Sequence, residues 1–143
     1  MSSSSDMDEL RAAQKAGVVI GLAKIGDKQL HLDIDEMIVQ QPDTLNLFCL
    51  AMDEFMASAS SDWMSYYQIA GIHGLPTEYW DGVTAIDKMA NLTKDRNAQG
   101  YCPHGDPKFP TWHRPYIAMM EQTVFLKMND IAEEFLPATR NTY

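Results

Sequence analysis

The chain has 143 residues, enough for one domain with a real core or for part of a larger domain. Its net charge of −9, without any Lys/Arg cluster, argues against nucleic acid or an anionic membrane as partner. There is no run of about 20 apolar residues to span a bilayer. The start, Met1-Ser2-Ser3-Ser4-Ser5-Asp6, lacks the basic and apolar regions of a signal peptide, so a cytoplasmic location is expected. Ten methionines read as adaptable packing. The two cysteines, Cys49 and Cys102, allow one disulfide, but no spacing suggests it. Asn91-Leu92-Thr93 matches a glycosylation acceptor and reads as a chance match in a chain without a leader.

Residues 1–10 are rich in Ser and Asp, and a disordered tail is expected over 1–15, ahead of a domain over 16–143. Residues 18–25 are mostly apolar, Gly26-Asp27-Lys28 reads as a turn, and 29–34 alternate Leu30, Leu32 and Ile34 with polar neighbours. That pattern predicts a short β-hairpin. A helix is expected over 44–58, capped by Asp43 or Thr44, with Leu45, Phe48, Cys49, Met52, Phe55 and Met56 as its buried stripe. Ser58 to Ser61 interrupt it. A second helix is expected over 62–73, capped by Asp62 and stopped by Gly74 and Pro76. Residues 75–110 read as a long irregular stretch with one helical turn near 83–92, and a loop of that length is usually functional. The last helix is expected over 111–135, with Pro115 in its first turn and Tyr116, Met120, Val124, Met128 and Ile131 along one apolar face.

Three of the four histidines carry the chemistry. His73 closes the second helix, His113 opens the last one, and His104 lies on the Pro/Gly-rich loop before it. Two antiparallel helices can aim such rings at one point, a common way to build a metal site in a bundle. Imidazole suits copper, zinc, iron and nickel, and a set without carboxylate leans towards copper or zinc. A structural zinc site wants a fourth ligand, usually Cys. Cys102 is near, but a residue two before His104 need not face the same ion. His31, on the polar side of the expected hairpin, reads as a surface residue.

Three stretches are specific: Ser65-Tyr66-Tyr67-Gln68-Ile69-Ala70-Gly71-Ile72-His73-Gly74, Gly100-Tyr101-Cys102-Pro103-His104, and Phe109-Pro110-Thr111-Trp112-His113-Arg114-Pro115-Tyr116 with Glu121-Gln122. Together they resemble the copper A half of fungal tyrosinases, members of the type-3 copper, hemocyanin-like family, from about residue 18 to the end. The resemblance implies a mainly α fold, half of a helical bundle that holds two coppers on three histidines each, with dioxygen bound between the metals. It makes His73, His104 and His113 the copper A ligands. It implies a thioether between Cys102 and the His104 ring, Phe109 packed against the metal pocket, and Arg114 and Glu121 as structural partners.

The copper B half, with its three further histidines, has no counterpart in the sequence. The resemblance therefore implies a metal-binding half of a phenol or catechol oxidase, completed by a C-terminal copper B half on a separate or cleaved chain. The stretch 135–143 is expected to be the loop after the copper A helix. Some family relatives, the cyclopenases of fungal alkaloid biosynthesis, catalyse rearrangement with elimination and consume no oxygen. A zinc-dependent, non-redox enzyme acting on a small aromatic substrate is therefore the alternative, and a lone oxygen- or metal-binding half is a third reading.

Overall fold

The computed structural model describes residues 4–22, 32–74, 102–103, 105 and 107–140. Those residues are mainly helical, and the resemblance's helical-bundle class holds. Five helices follow in order: α1 (Ser4–Ala16), α2 (Ile34–Gln40), α3 (Pro42–Ala57), α4 (Tyr66–His73) and α5 (Phe109–Arg140). The chain divides into two compact units, residues 1–55 with 118–143, and residues 56–117.

In the first unit the expected disordered tail is instead helical from Ser4. Asp6 in its first turn and Lys15 in its last complement the helix dipole. Leu10 is fully buried. Composition undervalued this segment because one buried leucine and a few polar contacts anchor it. Gly17 ends α1 at φ 74°, where its N–H bonds Gln14 O and the Val18 N–H bonds Ala13 O. This paired closure of the last turn favours glycine.

The segment after α1 is then pinned to α5 by Gln122, whose side chain is wholly buried. Gln122 Oε1 accepts from the N–H groups of Ile20 (3.0 Å) and Gly21 (3.1 Å). Its Nε2 donates to Val18 O (3.1 Å) and to Gln14 Oε1 (2.9 Å). Gln14 Nε2 in turn donates to the hydroxyl of Thr123. Arg11 reaches across to Asp130 and, at 3.3 Å, to Glu133. The Asp130 hydrogen bond, and both carboxylates, hold the guanidinium above its ordinary pKa.

The expected hairpin falls largely on residues 23–31, outside the described residues, as does His31. Ile34, expected on its second strand, is the first residue of α2. Asp33 caps that helix by accepting from the Asp35 N–H at 2.9 Å, and local capping overrides the alternating pattern. Gln41 closes α2 through an N–H bond to Met37 O, and its own carbonyl accepts from Leu45. Pro42 therefore occupies the first position of α3, where its missing N–H is harmless, and neither Asp43 nor Thr44 is the cap. On α3 only Ala51 and Phe55 are buried, one turn apart. Phe48, Met56 and Cys49, expected in the buried stripe, are exposed.

The second unit opens with a tight turn. Asp62 is not the cap of α4; its carboxylate accepts from Met64 N–H at 3.0 Å. The cap is buried Ser65, whose hydroxyl accepts from Gln68 N–H, while Gln68 Nε2 donates to Ser60 O at 2.7 Å. α4 ends at Gly74, whose N–H bonds Ala70 O. α5 begins two residues before the expected Thr111, because Lys108 O accepts both the Trp112 N–H and the Thr111 hydroxyl. Pro115 therefore lies past the first turn, where its missing N–H removes a helical bond rather than costing nothing. At the far end, where a loop was expected, the helix continues past the good helix formers Ala132, Glu133 and Glu134 and runs through Pro137 to Arg140. Within α5, Met119, Gln122, Thr123, Val124, Leu126 and Ile131 are buried. Met120 and Met128, expected on the apolar face, are half-buried.

Candidate metal centre

The second unit brings together residues far apart in sequence. His73 is the last residue of α4, and Cys102 lies on the loop that precedes α5. His113 sits in the second turn of α5. One ligand atom from each, an imidazole nitrogen or Sγ, lies within 4.8 Å of both others. The histidine rings are half-buried and Cys102 is buried. His104 and most of the loop around it lie outside the described residues, including the helical turn expected near 83–92 and the Asn91 sequon.

Each group is held by identifiable forces. His113 Nδ1 is 2.7 Å from Phe109 O, one helical turn earlier. A carbonyl can only accept, so Nδ1 carries the proton and Nε2 keeps its lone pair for a metal or a donor. Cys102 Sγ lies 3.3 Å from that Nε2, which makes the thiol the donor. Burial pushes the Cys102 thiol up from its ordinary pKa, so the metal-free group stays protonated at neutral pH. The Phe109 ring packs on His113 with centroids 4.0 Å apart, in keeping with the place the resemblance implied for it. Gly105 takes φ 73°, a left-handed value that suits glycine at the bend of the loop after Cys102.

The donor set fits a metal ion. Around a tetrahedral ion with bonds of about 2.0–2.3 Å, neighbouring donors stand about 3.3–3.8 Å apart. Two imidazoles and a thiol suit copper or zinc better than magnesium or calcium.

The sequence located His73 and His113 and left open whether Cys102 faces the same point; it does. Trp112 and Tyr116 were less legible in the sequence. Tyr116 read only as part of an apolar stripe, yet its ring lies 5.5 Å from that of His73 and stacks on Trp112 at 5.2 Å. The signal was present in the i, i+4 spacing of two aromatics either side of a histidine. Arg114 is exposed.

Residues 64–137 match the common central domain of tyrosinase, and the chain belongs to the tyrosinase family. Among its relatives, a tyrosinase of Podospora anserina is 38% identical over 110 residues, covering 77% of this chain and 19% of that protein. Polyphenol oxidase 2 of Agaricus bisporus is 35% identical over 98 residues, covering 68% of this chain and 16% of its own. The holo-protyrosinase of Aspergillus oryzae superposes with a TM-score of 0.67 at 30% identity, covering 80% of this chain and 20% of that one. The chain thus spans about a fifth of the length of the relatives it matches. Among the described residues no helix is long and apolar enough to cross a membrane.

Proposed function

We propose that this chain supplies the copper A half of a dinuclear copper oxidase that acts on phenols or catechols with dioxygen. The observation that carries the reading is the convergence of His73, Cys102 and His113 within the stretch that matches the tyrosinase central domain. In this reading residues 16–143 form the copper A half-domain, and a copper B half on another segment or chain completes the centre. Its other support is the family's relatives, which are named as tyrosinases and polyphenol oxidases.

His73 and His113 hold the metal, with His104 as the third imidazole. Phe109 O fixes the His113 tautomer so that Nε2 faces the ion. Cys102 stands close enough to the centre to serve it before any thioether to His104 forms. Bound copper supplies one-electron redox chemistry and, paired with a second copper, activation of dioxygen. The aromatic rings of Phe109, Trp112 and Tyr116 keep the donors in a partly apolar pocket, where an imidazole nitrogen competes less with water.

The Cys102 thiol among the donors is also the observation that keeps zinc in play. Zinc polarises a carbonyl without redox change, as a rearrangement with elimination requires.

The test is reconstitution. The chain is titrated with copper(I), copper(II) and zinc, then mixed with a separately produced C-terminal half from a full-length relative. Tight copper binding that is lost in His113→Ala, with catechol oxidation only after mixing and only with oxygen present, supports the oxidase. Turnover that needs zinc and survives strict anaerobiosis sinks it and selects the non-redox reading.

A further inference from the structure

His113 is oriented by a hydrogen bond inside its own helix. His73 is the last residue of α4. Its ring packs against a single turn of α5: Trp112 at 6.2 Å, His113 at 5.5 Å and Tyr116 at 5.5 Å between centroids. We infer that Tyr116, braced by Trp112, is a positioning residue for His73: it holds the imidazole at the end of α4 in the orientation that faces Cys102 and His113. The inference deepens the metal-centre reading and rests on it for its functional meaning.

The geometry gives Tyr116 this part and not merely a place in the wall. Trp112 and Tyr116 are one turn apart on α5 and stack nearly parallel, with 22° between planes. Each ring thus limits the rotamers of the other. Trp112 also meets His113 edge-on at 5.0 Å, so the pair touches both histidines. Tyr116 further lies close enough to Tyr66 and Cys102 to interact with both electrostatically. Tyr66 and His73 are the first and last residues of α4, two turns apart and hence on one face. Tyr116 thus meets by ring contact the end of α4 that carries His73 and lies within electrostatic range of its start.

The Tyr116 ring restricts an imidazole that would otherwise spend entropy to reach its donor position. Loss of an outer hydrogen-bond partner of a ligating histidine weakens metal binding by about 10–100-fold, and loss of a ring contact is expected at the low end of that range.

The experiment compares the chain with Tyr116→Phe, Tyr116→Leu, His73→Ala and the double variant His73→Ala/Tyr116→Leu. Cobalt(II) and copper(II) affinities are measured by competition titration, and the histidine ring protons are followed by NMR in the metal-free chains. Tyr116→Phe should bind like the parent. Tyr116→Leu should weaken binding about ten-fold, yet cost nothing further in the His73→Ala background, because its effect passes through His73.

In the metal-free spectra, the ring-current shift of the His73 protons should persist in Tyr116→Phe and collapse in Tyr116→Leu, with far-ultraviolet circular dichroism unchanged. Equal weakening by Tyr116→Leu with and without His73, or unmoved His73 protons, overturns the proposal. A parent chain that binds neither ion refutes the metal reading alone, since the NMR comparison still decides whether Tyr116 orients His73. If Tyr116→Leu does not fold, Trp112→Leu removes the brace from behind and is read in the same way.

Discussion

At the residue scale, the two cysteines show how environment sets chemistry. Cys49 is exposed on α3, while Cys102 is buried beside His113, with a thiol whose pKa is raised by desolvation. The sign follows directly. A raised folded-state pKa keeps Cys102 protonated at neutral pH, so the nucleophilic thiolate forms only as pH climbs through that raised value. Iodoacetamide at pH 7.5 should therefore alkylate Cys49 first and Cys102 far more slowly, as read by peptide mass spectrometry over time. Equal rates would contradict the buried placement of Cys102. Of the residues the sequence singled out, His73, Cys102 and His113 come together. The sequence could not tell that the Cys102 thiol meets the His113 ring, because that meeting depends on the path of the loop between them.

At the scale of elements, short polar contacts decide where helices start and how segments dock. Ser65 caps α4, the helix that ends in His73, and is itself fully buried. Ser65→Ala should cost about 1 kcal/mol of stability, measured as a shift in urea midpoint, and should fray the first turn of α4. Gln122 is a larger case, since its amide satisfies two backbone N–H groups, a backbone carbonyl and the Gln14 side chain.

Gln122→Leu keeps the volume but strips those partners in a buried place, and should destabilise by about 2–4 kcal/mol. An effect below about 0.5 kcal/mol would mean that water replaces the amide without loss. Periodicity revealed α3, α4 and α5 because apolar spacing reports which face is hidden. It misplaced their starts because the carbonyls and hydroxyls of Gln41, Ser65 and Lys108 set those, and such local contacts leave a weak trace in a hydrophobic pattern.

At the scale of the whole molecule, Phe55 and Leu10 lead the fully buried large side chains among the described residues. Phe55→Ala should therefore cost about 3–5 kcal/mol, with thermal unfolding as the measure. Against these stand exposed Ile34, Ile38 and Val39 on α2, and Phe48, Leu50 and Met56 on α3. Of the α3 side chains predicted as core, Phe55 is buried, whereas Phe48, Cys49 and Met56 are exposed.

The sequence by itself determined the helical class, the family and the positions of His73 and His113, since ligand type and flanking residues are written locally. Only the tertiary structure decided which of those residues converge. It brought Cys102 to the two imidazoles, gave Tyr116 a place against His73, and turned an unpromising polar tail into a docked helix. Convergence depends on the path of the chain between sites, and that path follows from packing and hydrogen bonds over many residues, which no short motif encodes.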